Sequence, residues 1–313
     1  MAWGVLPIAL AITLQTMQPA TLTWFRFLTA ALGLGVILAA TGGLPVLRTL
    51  TKADWTLLAV ALGGLVGNFV LYVIALTYAS PTVNQVVTQL SPLLLMLGGV
   101  VVFHERFSMR QWLGFALLLI GLPLFFNRRL PELLHLDGGL GRGVALLVLA
   151  SFIWSIYGLA QKKLLKRLQP QQVLVLLYTG AAIVLIPAAH PTQVLELSTL
   201  QVWMLVFCCA NTVVAYGAFA ESLQHWEASR VSAILTLTPL FTMMTMWVIE
   251  RAAPGLVRPE QLNVLSFVGA GVVVAGSMLV ALRSPKPSAA RDVDAAHGGP
   301  DLRDLARRNE NLQ

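Results

Sequence analysis

Apolar runs separated by charged or Pro/Gly-rich breaks divide the chain into ten stretches: 2–17, 19–40, 54–77, 82–103, 110–126, 143–161, 170–189, 200–222, 228–249 and 262–282. A helix that crosses a bilayer needs about 20 mostly apolar residues, and most of these stretches meet that length. The pattern predicts an all-α membrane protein. Beyond Arg283 the chain turns polar and rich in Pro, Ala, Asp and Arg. That composition cannot bury a core, so 283–313 is expected to be a disordered cytoplasmic tail.

The same pattern contains a repeat. Trp3 precedes Pro19 by 16 residues and Trp154 precedes Pro170 by 16. Leu76 stands 16 before Pro92, and Leu223 stands 16 before Pro239. Glu105-Arg106 closes one fourth helix and Glu250-Arg251 its counterpart, while Gly114/Gly121 answer to Gly269/Gly276 at the same spacing of seven. Five helices per unit is an odd number, so the second unit must be mounted upside down. The units expected are 1–126 and 143–282, joined by a connection at 127–142.

Composition and charge sharpen this picture. The chain is 57% apolar and 11% charged, with a mean hydropathy of +0.76, whereas a soluble domain carries roughly a quarter charged residues. The net charge of +7 lies beside apolar spans, which argues for membrane topology and against nucleic acid as a partner. With a cytoplasmic start, 15 Lys and Arg fall on the inner side and 5 on the outer, placing both termini in the cytoplasm. Equivalent loops carry opposite signals, as inversion demands. Lys162, Lys163, Lys166 and Arg167 precede Gln169-Pro170, but no basic residue lies at Gln18-Pro19. Cys208 and Cys209 are adjacent in an apolar run, which implies neither disulfide framework nor metal centre. No phosphate-cradling loop points to an ATP-driven pump, and no cofactor is implied.

These residues resemble the drug/metabolite transporter superfamily, in its EamA-type branch of paired five-helix domains. The likeness rests on Trp3-Gly4, Arg26-Phe27, Leu90-Ser91-Pro92-Leu93, Glu105-Arg106, Gln111-Trp112-Leu113-Gly114, Gly121, Trp154, Thr238-Pro239-Leu240 and Glu250-Arg251. It covers residues 1–282. The resemblance implies export or exchange by alternating access, with helices one to four and six to nine around a central cavity and helices five and ten outside it. Two departures stand out. Pro239 lies 11 residues before Glu250, where Pro92 lies 13 before Glu105. Only two residues precede Trp3, which leaves a first helix of about 25 Å and predicts a native start about ten residues upstream.

Candidate binding residues follow from polar groups at apolar depth, which are costly unless they face protein or water. In the fourth helix Asn84, Gln85, Thr88, Gln89 and Ser91 share an arc of about 160°. The ninth offers Ser232, Thr236, Thr238, Thr242 and Thr245 on a corresponding face, beside Met243. These stripes either line a cavity or bridge helices by hydrogen bonds. Arg26, about 10 Å below the outer surface, either holds a substrate carboxylate or snorkels outward. Asn68, on a small-residue face with Gly63, Gly64 and Gly67, Trp154 and Tyr157 as an aromatic wall, and Tyr178, Asn211 and Tyr216 complete the candidates.

Carboxylates are nearly absent from the interior, and the first helix offers only Gln15. A proton-for-cation antiport site is therefore unsupported, and a lone buried Arg is thin provision for sugar phosphates. The reading reached is a secondary transporter, not an enzyme, for a small neutral or zwitterionic metabolite such as an amino acid, in the inner membrane. A multidrug efflux carrier, a channel and a lipid-acting enzyme are the alternatives. The glycine pairs of helices five and ten mark either packing within the chain or a homodimer face.

Overall fold

The computed structural model describes residues 2–103, 108–128, 130–134, 139–225, 237–257 and 262–281. Among them the regular structure is helical throughout. The first half comprises α1 (Ala2–Thr13), α2 (Pro19–Thr41), α3 (Lys52–Tyr78), α4 (Pro81–Val87), α5 (Leu90–Phe103) and α6 (Met109–Phe125). After the short α7 (Leu130–Leu134) come α8 (Gly139–Leu164), α9 (Pro170–Leu185), α10 (Thr199–His225), α11 (Thr238–Ala252) and α12 (Val264–Ala281). Four helical segments (19–41, 52–78, 139–164 and 170–188) are by themselves long and apolar enough to cross a bilayer. The expected tail at 283–313, Glu105-Arg106, Ser232 and Thr236 lie outside the described residues.

The proline spacing corresponds to equivalent helix starts. Pro19 and Pro170 each open a helix, where a missing N–H costs nothing. Their N-caps, Gln18 (φ −69°, ψ 148°) and Gln169 (φ −69°, ψ 149°), have the same backbone conformation. Helix contacts repeat as well. α1 packs on α10 as α8 packs on α3, α5 on α8 as α11 on α1, and α2 on α10 as α9 on α3. Exchanging the halves turns each contact into another, while α2–α9 and α6–α12 map onto themselves.

Hydrogen bonds between connections give the direction of each half. The first-to-second connection meets the seventh-to-eighth through Gln18 N–H on Gln193 Oε1 (3.0 Å) and His190 N–H on Thr21 Oγ1 (3.0 Å). The second-to-third meets the sixth-to-seventh at the other end, where Arg167 pairs with Asp54 and Gln172 donates to the Gly43 carbonyl (3.1 Å). Equivalent connections thus sit at opposite ends. The halves are inverted.

Two predicted spans end differently for local reasons. The first, expected over 2–17, stops at Thr13, and the turn through Met17 lets Pro19 begin the next helix. Gln15 is therefore an exposed turn residue donating to the Leu256 carbonyl (2.7 Å), not a first-helix group. The fourth, expected as one helix over 82–103, is broken at Thr88-Gln89. Pro92 has no N–H to reach the Thr88 carbonyl four residues back, and that carbonyl accepts from Ser91 N–H instead (2.9 Å).

The glycine stripes of helices five and ten are used inside the chain. A Cβ on Gly276 would lie 2.7 Å from the Gly114 carbonyl oxygen, and one on Gly121 would lie 2.8 Å from the Val273 nitrogen. Of the two readings of this stripe, packing within the chain describes what these glycines do: they seat α6 against α12. The first half's small-residue face works likewise: Gly64 meets Tyr157 and Gly67 meets Ile153, while Gly63 faces open space.

Candidate functional site

The N-terminal part of α1 is a meeting point for both halves. Gln85, from α4, donates its amide to the Trp3 carbonyl (2.9 Å). Thr242, from α11 in the matching span of the second half, donates its hydroxyl to the adjacent Gly4 carbonyl (2.7 Å). Gly4 permits this approach, because a Cβ there would lie 2.8 Å from Phe241 Cβ. Ordinary side chains thus tie one helix from each half to consecutive carbonyls of α1.

The predicted polar stripe of the fourth helix divides at this level. Asn84 is fully buried and gives its amide N–H to the Tyr72 carbonyl (3.2 Å), and its side-chain Oδ1 has no hydrogen-bond partner among the described residues. Gln89 is buried too, and its main-chain carbonyl takes the Ser277 hydroxyl (3.5 Å). Gln85 and Thr88, three residues apart on one face, are half-exposed. Thr88 bonds back to the Asn84 carbonyl (2.8 Å). Bridging between helices thus accounts for the donors of Asn84 and Gln85.

Arg26 does not snorkel. It is 3% exposed, with Nε on Thr212 Oγ1 (3.1 Å) and the guanidinium carbon 4.9 Å from the Phe69 ring centre. Cys208 and Cys209 lie beside it. Among the described residues no carboxylate pairs with it. Asn211, next to Thr212, is 5% exposed, and both its amide nitrogen and its oxygen lack partners among the described residues. An unpartnered buried amide costs roughly 1–3 kcal/mol. Such a cost is a feature of sites completed by a ligand or a water.

The aromatic candidates belong to a packed core between α2, α3, α8 and α9. Phe27 stacks with Phe69 at 4.7 Å and with Tyr178 at 5.9 Å. Trp154 meets Tyr157 edge-on at 6.4 Å. Tyr157 and Tyr178 are buried in this core and Trp154 borders it. Asn68 crosses from α3 to the Ala150 carbonyl of α8 (2.9 Å). Tyr216 lies on α10, its side chain outside the described residues. An open groove of about 420 Å³ lies apart from all of these, among Leu240, Met243, Met244, Trp247 and Phe267.

Sequence reasoning missed Thr212, whose role depends on a partner 186 residues away. It also missed Gln201, which is 7% exposed and ties α10 to Thr16 and to the Ile12 carbonyl. There a signal existed: Ser198 and Gln201 have the spacing of a helix-capping pair, and the Ser198 N–H donates to Gln201 Oε1 (3.0 Å).

Comparison with known proteins agrees with this architecture. Residues 1–127 and 141–282 match the EamA-like transporter family. The chain is 46% identical over 281 residues to the uncharacterized inner membrane transporter YhbE of Escherichia coli K12, covering 90% of this chain and 88% of that protein. It is 40% identical to an uncharacterized transporter of Haemophilus influenzae, covering 90% and 92%. A probable amino-acid metabolite efflux pump of Salmonella typhimurium is 25% identical, covering 88% and 89%. A solved crystal structure with 19% identity superposes with a TM-score of 0.59, over 89% of this chain and 92% of the other, and shares the fold. On its repeats, helical architecture and relatives, the chain belongs to the EamA-like transporter family of the drug/metabolite transporter superfamily and is a membrane transporter, not an enzyme.

Proposed function

We propose that this transporter moves a small neutral or zwitterionic metabolite, such as an amino acid, across the inner membrane as an exporter or exchanger working by alternating access. In this reading the chain crosses the bilayer ten times as units 1–126 and 143–282, with both termini cytoplasmic and the Asp54–Arg167 end facing inward. The observation that carries it is the convergence of Gln85 and Thr242, from the fourth span and its counterpart the ninth, on the adjacent carbonyls of Trp3 and Gly4. A segment tied to both halves lies where a rocking motion needs its pivot and its substrate. The half-exposed Gln85 and Thr88 then offer amide and hydroxyl groups to a ligand without charge. The names of the Escherichia coli and Salmonella relatives support inner-membrane location and amino-acid export.

The test is counterflow in proteoliposomes loaded with candidate metabolites. Saturable exchange of one metabolite class, weakened about tenfold by Gln85→Ala through loss of one polar contact, is the expected result. A non-saturating flux would make the protein a channel. A substrate whose exchange is unchanged by Gln85→Ala and Thr88→Val would remove α4 from the site.

A further inference from the structure

Arg26 and Asn211 are the strongest unexplained polar groups among the described residues. The Arg26 guanidinium carries five N–H donors, and among the described residues only its Nε has a hydrogen-bond partner, the Thr212 hydroxyl. No carboxylate balances its charge among the described residues, although it is 3% exposed. Its other contact is a ring face, Phe69. Asn211 precedes Thr212 directly in α10, on the helix's buried side with Gln201, Cys208 and Thr212. Its amide presents an acceptor and donors that no described residue meets. A buried cation and a buried amide, each short of partners and set on adjoining residues' contacts, call for a ligand with an anion and a donor close together.

We propose that Arg26 and Asn211 recognise the headgroup of an α-amino carboxylate. The carboxylate sits on the free guanidinium edge of Arg26, and the neighbouring ammonium donates to Asn211 Oδ1. Asn211 is joined in sequence to Thr212, which holds Arg26 Nε at 3.1 Å, so the amide and the cation belong to one neighbourhood of α2 and α10. Thr212 then positions the cation, because its hydroxyl donates to the Cys208 carbonyl (2.9 Å) and accepts from Arg26 Nε. Phe69 and Phe27, stacked at 4.7 Å, bound the Arg26 side with apolar surface. This rests on the carrier reading above and narrows its substrate to a class.

The chain supplies its own reporter. Its two cysteines, Cys208 and Cys209, lie one turn before Thr212, the partner of Arg26, and Cys209 is partly accessible. The full chain in nanodiscs would be labelled with a small methanethiosulfonate while its thermal unfolding is followed in parallel. Each assay would include millimolar α-amino acids, the corresponding α-amino amides, or lactate. Expected is that one or more amino acids slow Cys209 modification and raise the unfolding temperature, while the amides, which lack the carboxylate, do neither. Arg26→Lys and Asn211→Ala should each weaken that protection about tenfold, and lactate should protect less than the amino acid.

Protection by amides equal to that by acids would overturn the proposal, and so would undiminished protection in Arg26→Gln. If the Arg26 variants fail to fold, the acid-against-amide comparison on the wild-type chain decides alone. Counterflow of an uncharged metabolite, with no amino acid protecting or stabilising, sinks this proposal and leaves the carrier. Absence of counterflow for any metabolite sinks the carrier, whatever binds at Arg26.

Discussion

Gly269→Ala should lower the unfolding temperature of the detergent-solubilised protein by about 10 °C, and Gly269→Leu should abolish folded, monodisperse protein. A Cβ at position 269 would run into the Phe125 nitrogen and lie 2.6 Å from the Leu124 carbonyl carbon and 2.7 Å from Phe125 Cα. All three are main-chain atoms, so no rotamer change relieves the clash and α12 must lift from α6. Overpacking a close seam typically costs about 1–3 kcal/mol, and more where the backbone itself must move. At roughly 2–4 °C per kcal/mol, the upper end of that range gives the predicted shift. Gly271 is the control: a Cβ there meets nothing within 4 Å. Gly271→Ala should therefore stabilise by about 0.5–1 kcal/mol, since alanine loses less backbone freedom in a helix. Equal unfolding temperatures for the two alanine variants would show that α6 and α12 are not seated through Gly269.

The repeat and its inversion were legible because they depend on local chemistry. A proline at a helix start and an apolar span of set length leave a mark at fixed spacing. Gln18 and Gln169 duly share one backbone conformation. The break at Thr88 was also written in the sequence, in Pro92, but a continuous apolar run concealed it. The polar stripe of α4 was legible as a face and not as a site. Helical phase groups Asn84, Gln85, Thr88 and Gln89 on one side, but it does not say which carbonyl of a neighbouring helix takes each donor. Only packing decides that Asn84 reaches Tyr72, that Gln85 reaches Trp3, and that Gln89 ends up buried. Trp154 and Tyr157 fell on one side as expected, yet the close approach of α8 at Gly64 folds them into the core. Thr212 had no local signal at all, because its chemistry is borrowed from Arg26.

The ties at the two ends of the bundle make a second large effect measurable. At the Gln18 end, Gln201 gives its amide to Thr16 Oγ1 (2.9 Å) and to the Ile12 carbonyl (3.3 Å), while its oxygen holds the Ser198 N–H (3.0 Å). Gln15 and Gln193 add uncharged ties to Leu256 and Gln18. The opposite end is held by Arg167 on Asp54 and Thr51 and by Gln172 on Gly43. Alternating access requires that one set part while the other holds, so removing a tie should favour opening at its own end. Gln201→Ala deletes about three hydrogen bonds at a buried position, worth roughly 2–3 kcal/mol together. If that difference falls on the open–closed equilibrium, exposure at this end rises on the order of fifty-fold. Met17, 1% exposed beside these ties, is a suitable reporter as Met17→Cys in a Cys208→Ala, Cys209→Ala background. Its labelling by an impermeant maleimide should accelerate in Gln201→Ala and slow in Arg167→Ala, which loosens the other end. An unchanged rate in both variants would mean that these side chains join loops without governing which end opens.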